Sequence, residues 1–380
     1  MQCKCIIKKH LFKLELTKLL IKIVKSNAME LNIIIDYLII SIMASLAINS
    51  VLRNFAKEKK LLVDIPDRSR KFHKRATPLT GGIGIFLAVI ISTEIYLDMN
   101  NLKGYMPEFS QKLYISSIPL LLIFLVDDLK SLRPLYRLII QIALSLYVIF
   151  STDVYLSNLG NLFGFGEIQL GFLSIPFTIF CVVGIMNAFN MIDGINGLCA
   201  GSAMMALLFI GFYSGLMYDS VLIIIIGSMI GFLIFNLRFF GKKRGVFLGD
   251  SGSNLIGFWV AWCAIYSSQN SIYQVEAITM LWFVSIPLLD CIGLIFSRIT
   301  RGISIASPGR DHIHHKLMRN YSPEGSLGII LIISLCTGLL GISLEKNFEP
   351  WVSTLMFFLY TSFYYIYSYR YKGLKSKLAN

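Results

Sequence analysis

The sequence predicts an all-α, polytopic integral membrane protein, and three observations carry that reading. Hydrophobic residues make up 55% of the 380, charged residues 15%, and mean hydropathy is +0.67, a balance with too little charge for a soluble domain of this size. Apolar runs of near membrane-spanning length recur along the chain. Beyond residue 28, lysine and arginine are confined almost entirely to alternate connections between those runs and to the C-terminal tail. The spans read as 31–52, 79–99, 113–127, 134–150, 172–190, 196–217, 220–237, 250–268, 275–298, 326–344 and 350–369, about eleven transmembrane helices, with the third and fourth short.

Charge orients them. One set of alternate connections, with the C-terminal tail, holds twenty-five of the thirty-five lysines and arginines; the other set holds only Lys103, Lys112 and Lys346. The rich set is therefore cytoplasmic. Residues 1–28 break the pattern, with seven lysines on the side assigned as external. We read them as a basic N-terminal extension arising from a mis-assigned start, with translation beginning at Met29; the alternative is a surface-lying amphipathic anchor. Residues 29–370 form the membrane-embedded unit and 371–380 a basic cytoplasmic tail. The net charge of +13 reflects loop asymmetry and attraction to anionic lipid headgroups. No basic soluble module is visible, so no nucleic-acid partner is expected.

The cysteines build no framework: Cys181, Cys199, Cys263, Cys291 and Cys336 stand singly in apolar runs and read as small hydrophobes. Cys3 and Cys5 lack a second metal-ligand pair.

Polar residues collect at the cytoplasmic ends of the spans, in four places. Asp127-Asp128 closes the third. Asn187, Asn190 and Asp193, spaced by three, close the fifth, and Asn196 follows before the sixth; on a helix that spacing puts the first three on roughly one face. Gly249-Asp250-Ser251-Gly252-Ser253 opens the eighth. The loop after the ninth carries Ser307-Pro308-Gly309-Arg310-Asp311-His312-Ile313-His314-His315. Each has a bland alternative: an interfacial cap for the aspartate pair, interhelical hydrogen bonding for the asparagines, an N-cap for the glycine-serine run, a solvated loop for the histidines. Their occurrence on one charge-defined side favours function. Up to four carboxylates at a low-dielectric boundary would repel and take up protons. Oxygen ligands of this kind suit Mg²⁺ or Mn²⁺, and nearby Arg, Lys and His suit phosphate oxygens. With no Ser-His-Asp or Cys-His set in sight, the pattern points to phosphoryl chemistry. Asp290, near the cytoplasmic end of its run, is expected to support this cluster; Asp36, at the outer end, reads as structural.

The segments His73…Pro78…Gly81-Gly82, Asp127-Asp128, Asn187-Ala-Phe-Asn190-Met-Ile-Asp193-Gly, Val246-Phe-Leu-Gly-Asp250-Ser-Gly-Ser and Ser307-Pro…Arg310…His312-Ile-His-His resemble the polyprenyl-phosphate N-acetylhexosamine-1-phosphate transferase family. The likeness runs from about Met29 to Arg370. It is greatest to the bacterial branch that acts on undecaprenyl phosphate to begin O-antigen, common antigen or teichoic-acid-type glycans. The resemblance implies transfer of GlcNAc-1-phosphate from UDP-GlcNAc to undecaprenyl phosphate, releasing UMP and needing Mg²⁺ (or Mn²⁺), at the cytoplasmic face of the bacterial inner membrane. By the same analogy Asp250 and Asn190 hold the metal; Asp127, Asp128 and Asp193 are the catalytic carboxylates, the first two handling the lipid phosphate, one of them as base, and Asp193 supporting the metal shell or the phosphate. Asn187, Asn196, Arg137, Arg298, Arg310, His312, His314 and His315 bind substrate, Arg137 meeting the lipid phosphate and Asn196 the uracil. A homodimer is compatible with this picture. Bacterial members commonly carry Asp where Asn196 stands, so the base contact is not transferable as it is; an amide can still pair with uracil. Lys130 is out of register with a family lysine and is given no role. Two rivals are carried: a sister enzyme using another UDP-N-acetylhexosamine (muramoyl-pentapeptide, fucosamine or quinovosamine type), and a transporter, which would place ionisable groups at mid-membrane on interrupted helices.

Overall fold

The computed structural model describes residues 34–66, 75–100, 106–216, 220–273, 275–302, 304 and 311–378, with backbone alone for 220 and beyond 367. The 1–28 extension, His73 and Arg310 lie outside the described residues. The chain is almost wholly helical: α1 (Ile34–Lys59), α2 (Gly81–Met99), α3 (Glu108–Lys130), α4 (Pro134–Thr152), α5 (Ser174–Ile192), α6 (Leu198–Ser214), α7 (Ser220–Asn236), α8 (Gly249–Gln269), α9 (Ala277–Phe283), α10 (Ser285–Ile299), α11 (Ile313–Leu317), α12 (Pro323–Asn347) and α13 (Pro350–Leu378). Each of the eleven expected runs falls on a helix, with one run divided. The 275–298 run is split between α9 and α10, which meet at 84°. Pro287 sits in the first turn of α10, where its missing N–H and fixed φ start a helix rather than continue one.

Among the described residues six helices are long and apolar enough to cross a bilayer, or seven if α9 and α10 count as one span. The shortfall against eleven has a physical cause. Helices α6 and α7 have only 17 residues each, α8 carries too many polar side chains for a lipid-facing segment, and α13 is diluted by tyrosine, serine and threonine. Helix α8 is the axis of the bundle. It packs against α2, α3, α5, α6 and α9, and Trp259, Trp262 and Phe258 are fully buried. Its Ser, Asn and Gly residues face protein, where hydrogen bonds and close backbone approach replace hydrophobicity: Trp259 Nε1 donates to Ser117 Oγ of α3 at 2.9 Å. The outer helices carry the opposite signature, with Phe150, Phe180, Phe212 and Phe363 each more than two-thirds exposed as lipid-facing side chains are.

A short two-stranded sheet fixes one end of the bundle. Strand β1 (Val63–Asp64) pairs antiparallel with β2 (Thr77–Pro78), Val63 opposite Pro78. Phe247 N donates to Pro78 O at 2.8 Å, and the Gly81 and Gly82 amides donate to Phe247 O and Leu248 O at 2.9 and 3.0 Å. Gly82 lies so close to α8 that a Cβ there would stand 2.5 Å from Gly252 Cα. The paired glycines let α2 and α8 meet backbone to backbone, and so set where Asp250 begins its helix. Lys57 reaches the Lys243 carbonyl at 2.7 Å, so two of the lysine-rich connections lie on one side, as the charge count requires.

Candidate active site

The α3–α4 turn brings the first acid to its counter-charge. Ser131 ends α3 in a left-handed conformation and Pro134 opens α4. Asp127 Oδ1 accepts from Leu132 N at 2.6 Å and pairs with Arg137 at 2.8 Å. Arg137 extends its other nitrogen to Asp250 Oδ2 at 3.3 Å. One guanidinium thus bridges two carboxylates from distant segments, neutralising part of the repulsion anticipated from the sequence. Asp127 is 3% exposed and its Oδ2 has no hydrogen-bond partner.

Asp128 turns the other way. Its Oδ1 accepts from Asp250 N at 2.8 Å, and its Oδ2 from Ser251 N at 3.2 Å and Ser251 Oγ at 2.7 Å. The two backbone amides are orphan donors of the first turn of α8, so a carboxylate from α3 caps α8 in trans and meets the positive end of its dipole. Gly249 has φ +79°, and a Cβ there would lie 2.8 Å from Asp128 Oδ2; both facts require glycine. The glycine-serine run is thus a helix start, but one capped by a remote acid instead of by its own serines.

Helix α5 supplies the amides. Asn190 Nδ2 donates to Asp250 Oδ1 at 3.2 Å and Ser253 Oγ at 2.9 Å. One turn earlier, Asn187 Nδ2 donates to Gln141 Oε1 at 3.0 Å and Val183 O at 2.8 Å. Asp193 caps α5. Its surface is exposed, yet the protein crowded around it first, then the Asp250 and Asp128 carboxylates, push its carboxyl up to about 7. Asn196 is half-buried in the following turn. That turn is stapled by Asn236, whose Oδ1 accepts from Gly197 N at 2.6 Å and whose Nδ2 donates to Val246 O at 2.9 Å.

The histidine segment docks on the same turn. Asp290 accepts from His312 Nδ1 at 2.9 Å, from Ile313 N at 2.8 Å and from Tyr364 OH at 3.3 Å, so the expectation that Asp290 supports the cluster holds. His314 is 1% exposed, stacks on His312 with ring centroids 5.3 Å apart and is tilted against His315 at 4.2 Å, and lies against Gly194: a Cβ there would meet its Nε2 at 2.0 Å. Burial, then the neighbouring His315 and His312, push the His314 imidazole down to about 3. Both of its ring nitrogens lack partners. Arg298 stands half-buried in the last turn of α10. The structure therefore joins Asp127, Asp128, Arg137, Asn187, Asn190, Asp193 and Asp250 in one contiguous site, with the histidines against its Asp193–Gly194 edge.

Gln141, Asn254 and Asn236 escaped the sequence reading. Their signal was present: each is an amide inside an apolar run, expensive there unless paired.

The donors are nearly all oxygen, which fits a hard divalent cation. Asp250 is 42% exposed at its side chain and holds Asn190 and Arg137 only at 3.2–3.3 Å, so a cation can replace those contacts at little cost. Among the described residues no three His, Cys, Asp or Glu side chains form a complete cage. Mg²⁺ needs none, since it takes one or two carboxylates and completes its shell with water and phosphate oxygens.

This is a multi-pass membrane protein whose acids and amides converge at one end of a helical bundle, a layout suited to joining an anionic lipid to a soluble anion. Comparison with known sequences narrows the class. The pattern of glycosyl transferase family 4 matches residues 111–268. The undecaprenyl-phosphate alpha-N-acetylglucosaminyl 1-phosphate transferase of Escherichia coli strain K12 is 32% identical over 315 residues, 81% of this chain and 83% of that protein. The protein of the same name from Haemophilus influenzae is 35% identical over 324 residues, 81% and 86% of the two chains; that from Yersinia pestis is 32% identical over 306, 78% and 81%. The chain belongs to glycosyl transferase family 4 and is a membrane-embedded transferase.

Proposed function

We propose that this enzyme transfers GlcNAc-1-phosphate from UDP-GlcNAc to undecaprenyl phosphate at the cytoplasmic face of the bacterial inner membrane. The observation that carries the reading is the Asp127–Arg137–Asp250–Asn190 constellation, gathered from α3, α4, α5 and α8 at a bundle end whose connections hold the lysines and arginines. Its relatives bear the name of that reaction. A lipid phosphate can enter such a site from the membrane while its tail stays in hydrocarbon, and a nucleotide sugar can enter from water.

In the reaction a lipid-phosphate oxygen bonds to the sugar-linked phosphorus, and the phosphoanhydride bond breaks, releasing UMP with the anhydride oxygen. Asp250 and Asn190 would hold Mg²⁺, which when bound supplies positive charge to the diphosphate. Arg137, released from one of its two carboxylates, offers its fork to the incoming lipid phosphate. Asp127, buried and half-unpartnered, accepts a proton from that phosphate or orients it. Asp128 acts through Asp250 by fixing the start of α8. Asp193 shapes the charge beside Asp250, and its carboxyl is poised to ionise when positive charge arrives. Asn196 faces the base. His312, held by Asp290, with His314, His315 and Arg298, lies on the sugar-diphosphate side.

The test is incubation of membranes holding the protein with radiolabelled UDP-GlcNAc and undecaprenyl phosphate, with and without Mg²⁺. Mg²⁺-dependent labelled undecaprenyl-diphosphate-GlcNAc with stoichiometric UMP is the expected result. A UDP-sugar panel in which a different N-acetylhexosamine alone gives product would move the assignment to a sister enzyme; no metal-dependent UMP release from any sugar nucleotide would overturn it.

A further inference from the structure

Behind the charged groups runs a second, uncharged array. Val183 O accepts from Asn187 Nδ2 at 2.8 Å, and the same nitrogen donates to Gln141 Oε1 at 3.0 Å. Gln141 Nε2 donates to Asn254 Oδ1 at 2.8 Å, and Asn254 Nδ2 donates to the Asp250 carbonyl at 2.8 Å. Gln141 and Asn254 are each 2% exposed. Three amides thus link α5, α4 and α8 in one direction.

That direction is forced. Each end of the array is a backbone carbonyl, which only accepts. Asn187 must present its NH₂ to Val183 O, so the Gln141 atom beside it must be oxygen. Asn254 must present its NH₂ to Asp250 O, so the Gln141 atom beside its oxygen must be nitrogen. Only a side chain that accepts at one corner and donates at the other, at glutamine's length, completes the series. The position is also telling: Arg137 lies one helical turn before Gln141, so a single face of α4 carries both the guanidinium on Asp250 and the amide beneath it.

We infer that Gln141 is a positioning residue for the transfer, its amide locking the first turn of α8 against α5 so that Asp250 and Asn190 keep their mutual register. The inference rests on the proposed reaction, and it adds a requirement about hydrogen-bond direction that the charged residues do not impose. A carboxylate at position 141 could accept from Asn187 but could not donate to Asn254. A protonated carboxyl could do both, its O–H replacing the lost N–H.

The experiment compares Gln141→Glu and Gln141→Leu with wild type from pH 6 to 9, in the same membranes. The titratable and charged groups of the adjoining site are Asp127 and Asp128 from α3, Asp250 from α8, Asp193 beyond the end of α5, and Arg137 on α4 itself. They titrate in every variant, so each rate is divided by the wild-type rate at the same pH. At high pH Gln141→Glu is expected to lose on the order of 10- to 100-fold in kcat, the range for a buried donor removed and an acceptor left unmatched, with KM for UDP-GlcNAc changed far less. Its ratio to wild type then climbs about tenfold as pH falls and the new carboxyl protonates. Gln141→Leu stays low throughout. A flat ratio for Gln141→Glu, or near-wild-type kcat for Gln141→Leu, overturns the inference. The unfolding temperature of Gln141→Glu relative to wild type, which needs no substrate, should rise as pH falls; if it does not, the relay is refuted whether or not UDP-GlcNAc proves to be the donor. Absence of turnover by wild type, by contrast, counts against the proposed reaction.

Discussion

Replacing Asp128 by alanine separates positioning from proton transfer. The carboxylate accepts three hydrogen bonds, from Asp250 N, Ser251 N and Ser251 Oγ, all at the N-terminus of α8. Two of those donors are backbone groups with no alternative inside the helix. Hydrogen bonds to a charged acceptor contribute about 1.5–3 kcal/mol each, and a carboxylate at a helix N-terminus about 0.3–1 kcal/mol more. The side chain is half-buried, so water recovers part of the loss, and a net destabilisation of about 2–4 kcal/mol is expected. Asp128→Asn should lose nearly as much, because its NH₂ must oppose one of the donors. The assay is thermal unfolding of detergent-solubilised protein alongside turnover across pH. A lowered unfolding temperature with turnover lost at every pH is the expected outcome. If the alanine variant unfolds like wild type and its activity returns with rising pH or an added base, Asp128 is a base and not a cap.

Four further outcomes follow from the same geometry. Gly82→Ala puts a methyl 2.5 Å from Gly252 Cα, so α2 and α8 must separate; overpacking of this kind costs about 1–3 kcal/mol, and both unfolding temperature and turnover should fall. Asp250→Ala should abolish transfer and Mg²⁺ dependence, while near-normal turnover in membranes would contradict its role as metal ligand. Asp193, with its carboxyl raised to about 7, binds a proton in the fold that it has already lost in the unfolded chain. Its contribution to stability, reduced by solvent screening because the side chain is exposed, is present below the ordinary carboxylate range and lost as pH rises from there through about 7; Asp193→Asn should modestly flatten the pH dependence of the unfolding temperature across that interval, and Mg²⁺ should shift the wild-type inflexion downward. His312→Ala should spare undecaprenyl phosphate binding but lose use of the sugar nucleotide, as Asp290→Ala should too, since that carboxylate holds both His312 Nδ1 and Ile313 N; loss of lipid binding alone would count against the assignment.

Much of this was legible in the amino-acid order because its causes are local or additive. Apolar length specifies a helix in a membrane, since backbone groups have no other partner there, and loop lysines and arginines specify the side. Spacing by three put Asn187 and Asn190 on one side of α5, where they stand, whereas Asp193 falls beyond the last helical residue, where the backbone has left the helix. Other features depend on partners far away in the chain, and only the folded bundle decides them. Asp127 and Asp128 are adjacent and chemically identical, yet one meets Arg137 while the other caps α8, because successive residues on a helix point about 100° apart and different neighbours lie in the two directions. Helix α8 reads as one more span but is the central, protein-enclosed helix, so its polar content reports burial against other helices instead of exposure to water. Gln141 went unremarked in its apolar run; its meaning came from Asn187 and Asn254, 46 and 113 residues away. A hydrogen bond requires both partners in place within a few tenths of an ångström, and that condition is set by tertiary packing, which no stretch of sequence states by itself.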